Sequence, residues 1–451
     1  MPLNNYSAND TSTAADALID APEVSLGRIL SLALPALGVL AATPLYLLFD
    51  TAVVGRLGGL ALAGLATGIT LYSQVTTQLT FLSYGTTARA AQKYGAGDRK
   101  GAIAEGVQAT WLAIFVGLAL SIIMFFGAPT FCLWLSGNAE VAALASQWLR
   151  VASFGIPLVL LIMAGNGWMR GIQNTRVPLF CTLSGVIPGA ILIPILVNHY
   201  GLVGSAWANL IGTMITAACF LGCLFHVHEG SWRFEPQVVR RQLVLARDLI
   251  VRSLSFQVSF LSAAAVAARF GPAALAAHQI LLQLWNFLTL VLDSLAIAAQ
   301  TLVGSAIGAG SIRTAQQTGR KIVAYSTGFG LALAAIFALG WNFIPRIFTD
   351  DEQVVEVIWS GPWWQLLVMI IIGGVVFALD GVLLGAADAA FLRTVSLCSV
   401  LFGFLPAVWL ALWLDAGLIG VWWGLVAFVS IRALAGMWRF HSLRWARHHV
   451  A

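Results

Sequence analysis

The sequence predicts an all-α polytopic membrane protein of twelve transmembrane helices in two pseudo-symmetric six-helix bundles. Three observations carry that expectation. Of 451 residues, 59% are hydrophobic and 10% charged, against roughly 25% charged in a soluble globular chain. Apolar stretches of the about 20 residues needed to cross a bilayer recur about twelve times. The first half of the chain also returns in the second.

The repeat is legible residue by residue. Arg56-Leu57-Gly58 followed by Leu60-Ala61-Leu62-Ala63 returns as Arg269-Phe270-Gly271 followed by Ala273-Ala274-Leu275-Ala276, an offset of 213 residues (269 − 56). The same offset carries Gly95-Ala96-Gly97 onto Gly308-Ala309-Gly310, and Ser136 through Val141 onto Thr349 through Val354. Near the ends the register drifts by three, where Gly201-Leu202-Val203-Gly204 with Trp207 returns as Gly417-Leu418-Ile419-Gly420 with Trp423. Duplicated bundles with a cavity between them are the architecture of secondary transporters.

In chain order, the first span, 26–53, contains Pro35 and Pro44, which release backbone carbonyls and bend a helix. Spans 60–88 and 101–127 flank the basic loop of Lys93, Arg99 and Lys100. The fourth, 139–169, ends on Gly165-Asn166-Gly167 ahead of Arg170 and Arg176. The fifth, 177–198, carries Pro188 and Pro194, and the sixth, 202–227, carries Asn209. Spans seven to twelve are expected at 244–269, 273–305, 316–345, 354–385, 392–414 and 417–440.

These spans divide the chain into a disordered cytoplasmic tail (1–24), an N-lobe (25–227), a cytoplasmic linker (228–243), a C-lobe (244–440) and a basic cytoplasmic tail (441–451). The first 23 residues hold Asp10, Asp16, Asp20 and Glu23 but no basic residue, and so lack the pattern of a secretory signal.

The net charge of +5 matters by its placement. Alternate loops hold nearly all the basic residues, among them Lys93, Arg170, Arg240, Arg320, Arg393 and Arg439, while the opposite loops hold Arg56, Arg269 and Arg346. The positive-inside rule then makes the basic side cytoplasmic, with both termini inside. The charge reads as topology, with no nucleic-acid partner. Six spans per half is an even number, so both halves enter the membrane in one orientation and are related by an axis along the membrane normal. Cys219 and Cys223 share a helix face at i, i+4 and read as small packing residues. No Walker A, HExxH, GxSxG or CxxC pattern occurs, so no enzyme is expected.

Three carboxylates fall well inside spans: Asp50, Asp293 and Asp380. A charge at mid-membrane costs roughly 2.5–3.5 kcal/mol on insertion scales, so such residues face a cavity and have a role, and a buried carboxyl is a natural proton carrier. The alternative is a protonated Asp tying two helices together. Tyr46 lies one turn before Asp50 on the same face, placed to share a proton or hydrogen bond with it. Asn166 and Asn209 are further buried polar groups of the first half; interhelical amides also serve as packing glue. In the second half, Gln279, Gln283 and Asn286 form one stripe at i, i+4, i+7, a candidate cavity wall beside His278, Asp293 and Gln300. Most of the 17 Trp and 25 Phe read as interfacial belts, with some available to lipophilic cations through cation–π contact.

FDTAVVGRLGGLALAG in the first two spans, AAQKYGAGD after the second and GNGWMRGIQNTRVPL after the fourth resemble the multidrug and toxic compound extrusion (MATE) transporters of the MOP superfamily. So do AALAAHQI and AIAAQTLVGSAIGAG, while LDGVLLGAAD resembles the DNA-damage-inducible F (DinF) branch. The resemblance covers residues 26–440. It implies two lobes around a V-shaped cavity, and export of amphipathic, often cationic compounds driven by inward proton or sodium flow. It also implies that Asp50 is the coupling residue, with Tyr46 and Asn166 as matching family positions; Asn209 stands where a Thr is usual. The family's fifth-span Asn and second Asp fall at Gly189 and Ile193, so the paired carboxylate is missing.

The expected protein is thus a monomeric antiporter of the plasma (inner) membrane, exporting lipophilic or cationic molecules against an inward proton flux. Its cofactor is none beyond the coupling ion, its partners the substrate and the bilayer. Asn166, Asn209, Gln279, Gln283, Asn286, Asp293 and Asp380 are the expected cavity residues, and Asp50 with Tyr46 the proton-coupling pair. Sodium coupling is one alternative. A lipid-linked precursor flippase is another, disfavoured because only Arg432 reads as a mid-span basic residue.

Overall fold

A computed structural model describes residues 25–446; the expected tail 1–24 and the end of the basic tail lie outside the described residues. The described chain is helical throughout. The N-lobe comprises α1 (Leu26–Val54, extended by a 3-10 turn to Leu57), α2 (Gly59–Gln78), α3 (Phe81–Gly95), α4 (Arg99–Ser136), α5 (Ala139–Ser153), α6 (Gly155–Gly171), α7 (Arg176–Tyr200) and α8 (Leu202–Val227). The C-lobe comprises α9 (Pro236–Arg269), α10 (Pro272–Gly308), α11 (Ile312–Leu339), α12 (Ile344–Phe348), α13 (Glu352–Trp359), α14 (Pro362–Gly385), α15 (Ala389–Cys398), α16 (Leu405–Trp413) and α17 (Gly417–His441).

Ten described helices, counting α15 and α16 joined through a π-helical turn as one, are long and apolar enough to cross a membrane. An eleventh crossing is the pair α5–α6, bent by 45°. The second expected span, 60–88, forms as α2 and α3, broken at Leu79 and Thr80. The tenth, expected at 354–385, separates into α13 and α14, because Gly361 stops one helix and Pro362 occupies the first turn of the next, where its missing N–H costs nothing. Pro236 likewise opens α9 eight residues inside the expected 228–243 connection. The remaining connection is docked on α4: Trp111 Nε1 donates to Trp232 O at 2.9 Å, Gln108 Nε2 to Arg233 O at 2.8 Å, and the Glu235 amide to Gln108 Oε1 at 2.9 Å. Pro35 and Pro44 lie inside an unbroken α1.

The duplication holds in the backbone. Gly58 and Gly271, 213 residues apart, have φ of 113° and 104°, and Gly97 and Gly310, at the same offset, have 80° and 77°. Side chains rarely adopt such values, so glycine is needed at both copies. Close approaches repeat as well. A Cβ at Gly167 would lie 2.9 Å from Ser83 O, and one at Gly381 would lie 2.3 Å from Ala296 O, Ser83 and Ala296 again being 213 apart. Where the lobes meet, a Cβ on Gly95 would fall 1.8 Å from Ser305 O and one on Gly308 would fall 1.8 Å from Gln92 O. That contact is reciprocal about a two-fold axis.

The lobes join at one end. Every interlobe hydrogen bond of the described residues starts or ends between Gln78 and Glu105, including Gln92 Nε2 to Gly385 O at 2.8 Å and Gln300 Nε2 to Tyr84 O at 2.6 Å. Ile29, Leu32 and Ala33 share a core there with Leu295, Ala299 and Leu302. The basic loops flank this closed end. The outer half of the C-lobe has its own core around Trp285, Trp363 and Trp422.

Candidate functional site

Within the N-lobe, α1, α2, α3, α5, α6, α7 and α8 line a cavity of about 380 Å³, whose polar lining includes Tyr46, Tyr72, Asn166, Arg170 and Asn209. Glycines set its walls. On α7, a Cβ at Gly185 would meet Thr216 Oγ1 at 2.0 Å and Gly212 O at 2.1 Å, so α7 and α8 pack backbone to backbone, as small residues allow membrane helices to do. Gly68 on α2 leaves room for the Trp148 indole, whose ring stands edge-on to Tyr72 with centroids 6.1 Å apart.

Asp50 lies behind this wall. It is fully buried, so it does not face lipid. Ser205 Oγ donates to Asp50 Oδ2 at 2.7 Å, and Trp148 Nε1 donates to Ser205 Oγ at 3.2 Å. Trp148 lines the cavity, so a hydrogen-bonded chain runs from the cavity wall to the carboxylate. Asp50 Oδ1 and Tyr46 Oη are both buried without a partner. The expected Tyr46–Asp50 hydrogen bond is therefore not made; the carboxylate's partner is Ser205 on α8, and Oδ1 stays free. An ionisable group with a free oxygen, screened from water, is equipped to take up and release a proton.

Asn166 lines the cavity with its Oδ1 unpartnered and its Nδ2 donating to Ile162 O at 3.1 Å. Asn209 also lines it, accepting from Thr213 Oγ1 on its backbone oxygen at 2.8 Å. At Gly189 a Cβ would touch the Tyr46 ring at 3.3 Å, and Ile193 is fully buried in the same core as Tyr46. Apolar packing thus fills the place of the missing second carboxylate.

The second-half expectations fare differently. Gln279, Gln283 and Asn286 are exposed on α10, on the face opposite the buried Leu281, Leu284, Trp285 and Leu288, and stand outside the N-lobe cavity lining. Asp293 and Asp380 are not in the cavity lining either. Tyr84 Oη donates to Asp293 Oδ2 at 2.8 Å, across the lobe boundary. Asp380 accepts from both Arg252 of α9 and Arg432 of α17, whose guanidinium groups stack over Phe256 at 5.1 and 4.5 Å. His278 is fully buried with neither ring nitrogen bonded.

Sequence reasoning missed two arginines and a cluster of thiols. Arg170, read as a loop cation, is buried in the last turn of α6; its i+4 spacing from Asn166 was the available signal. Arg252, unremarked in its apolar run, is largely buried, so Arg432 is not the sole mid-span basic residue. Cys181 joins Cys219 and Cys223, the three sulfurs within 4.8 Å of one another, a set of thiols that suits a soft metal ion and that only the packing of α7 on α8 reveals.

The MatE family model matches this chain twice, over residues 35–195 and 249–409, one match per repeat. Among curated relatives, Protein DETOXIFICATION 44, chloroplastic, of Arabidopsis thaliana is 29% identical over 441 residues, covering 93% of this chain and 83% of its own. DNA damage-inducible protein F of Escherichia coli (strain K12) is 28% identical over 428 residues, covering 91% of each. A crystal structure of MATE in the bent conformation superposes with a TM-score of 0.85 over 94% of this chain and 97% of its own at 19% identity, a likeness of fold. With both repeats matched and the two-lobed architecture shared, the chain belongs to the MatE family of multidrug and toxic compound efflux transporters, multi-pass membrane proteins and not enzymes.

Proposed function

We propose that the chain is a monomeric proton-coupled antiporter of the inner membrane, with both termini cytoplasmic, exporting amphipathic small molecules through the N-lobe cavity. The single observation that carries this reading is Asp50: a fully buried carboxylate with one free oxygen, hydrogen-bonded by way of Ser205 to the cavity-lining Trp148. Protonation from the outer side removes the buried charge of Asp50, α1, which also carries Pro44, rearranges against α7, and the cavity contracts and releases its cargo. Deprotonation toward the cytoplasm resets the cycle. Each charge moved down the field is worth about 2.3 kcal/mol per 100 mV, enough to bias alternating access.

Ligand count favours a proton over sodium. Sodium needs several hard oxygens, whereas Asp50 has Ser205 Oγ as its hydrogen-bond partner. In the C-lobe, Asp380 is occupied by two guanidinium groups, which repel a cation. The test is transport by purified protein in liposomes, with proton and sodium gradients imposed separately. Export should follow the proton gradient without sodium, and Asp50→Asn should abolish it in a folded, inserted protein. Sodium-dependent export, or export surviving Asp50→Asn, would refute the assignment.

A further inference from the structure

Among the described residues that line the N-lobe cavity, the charged one is Arg170, and no carboxylate joins it. Its neighbours on the wall are hydroxyls and amides such as Thr76, Ser83, Asn166 and Asn209. Its own bonding is incomplete. Arg170 is 5% exposed, yet Nε has no partner and Nη1 reaches Ser83 Oγ only at 3.5 Å. Among the described residues no carboxylate lies within ion-pair distance of it, whereas the other largely buried arginines are all paired: Arg89 with Glu105, Arg252 and Arg432 with Asp380, Arg393 with Asp248, Arg439 with Asp388. Asp293 is close enough to influence Arg170 electrostatically, but its carboxylate is bonded to Tyr84 and also lies in the field of Arg252. Around this apex of the cleft stand three guanidinium groups, Arg170, Arg252 and Arg432, and two carboxylates, Asp293 and Asp380, a surplus of one positive charge.

A buried, unpaired guanidinium is costly and offers a planar fork that matches a carboxylate or sulfonate. The rest of the wall is apolar, with Val39, Ile69 and Met163 beside Tyr72 and Trp148. We infer that the cargo of this cavity is an amphipathic organic anion, its acidic head held by Arg170 and its hydrocarbon body by the apolar wall. This rests on the export reading above for the direction of transport only, and it runs opposite to the cationic cargo that the family resemblance implied. It also changes the electrical balance. Exchanging one outgoing cation for one incoming proton moves no net charge. Exchanging one outgoing monovalent anion for one proton moves two charges inward, so at equilibrium an interior-negative potential drives a gradient on the order of 10³-fold per 100 mV.

The test uses the full chain and two radiolabelled probes of similar size, para-aminohippurate as the anion and tetraethylammonium as the cation. Binding is measured in detergent, and transport in proteoliposomes under a pH gradient with and without a valinomycin-clamped potassium potential, against protein-free liposomes. The wild type should bind and move para-aminohippurate in preference to tetraethylammonium, and the potential should accelerate the anion. Arg170→Gln should lower anion affinity at least tenfold with an unchanged melting temperature, and Arg170→Lys should restore part of it. Preferential binding and proton-driven transport of tetraethylammonium, or anion binding indifferent to both Arg170 substitutions, would overturn the anionic assignment while leaving proton-coupled export standing. Arg170-dependent anion binding without proton-driven movement would uphold the site and remove the coupling mechanism instead.

Discussion

Tyr46 Oη and Asp50 Oδ1 sit one helical turn apart, both buried and neither hydrogen-bonded. A buried polar group left unpaired costs about 1–3 kcal/mol, so a residue kept there for stability alone is better served by phenylalanine. Tyr46→Phe should leave the unfolding midpoint unchanged or raise stability by up to about 1 kcal/mol, while slowing the proposed proton-driven export severalfold. A lowered midpoint with normal export would make the hydroxyl structural. Asp50, Tyr46 and Asn166 were legible because a polar residue inside an apolar run is conspicuous. Arg170 was not, because a cation near the end of a span reads as topology. Ser205 and Trp148 were not, because their role depends on α8 and α5 lying beside α1, which no spacing along the chain encodes.

At the scale of elements, the apolar runs located the helices, and local breaks set their ends. The division of the second span at Leu79 and Thr80 and of the tenth at Gly361 and Pro362 left hydropathy nearly continuous and therefore escaped it. Packing between elements is set by glycines that composition counts but does not place. On α7, the Cβ of Gly185→Ala would meet a backbone carbonyl of α8 at 2.1 Å, which cannot swing aside as a flexible side chain does. Overpacking of this kind costs about 1–3 kcal/mol, and the cavity bounded by α7 and α8 should change shape with it. Gly222→Ala, also on α8 but with open space around its Cβ, should instead stabilise by about 0.5–1 kcal/mol through helix propensity. Unfolding of both variants in detergent checks the contrast; equal effects would mean that the α7–α8 contact relaxes freely.

At the scale of the whole molecule, the repeat predicts where the two lobes must close on each other. The first glycines of the duplicated Gly-Ala-Gly segments, each the last residue of its helix, meet across the pseudo-two-fold axis, Gly95 against Ser305 and Gly308 against Gln92, with 305 − 92 equal to 308 − 95. A side chain at either position strikes main chain at 1.8 Å, and each such clash is worth about 1–3 kcal/mol. Moving a two-state equilibrium from 1:99 to 99:1 takes about 5.5 kcal/mol, so the double variant Gly95→Leu with Gly308→Leu should heavily populate a state opened at this end and the single variants partly. Spin labels at the exposed positions Arg99 and Arg313, in a background without native cysteines, report the opening as a longer and broader distance distribution. Export should fall in the same order, since a transporter that cannot close inward-facing loops cannot complete its cycle. Distances unchanged in the double variant would place the closing contact elsewhere, on the α1–α10 core of Leu32 and Leu302 rather than on the symmetric glycines.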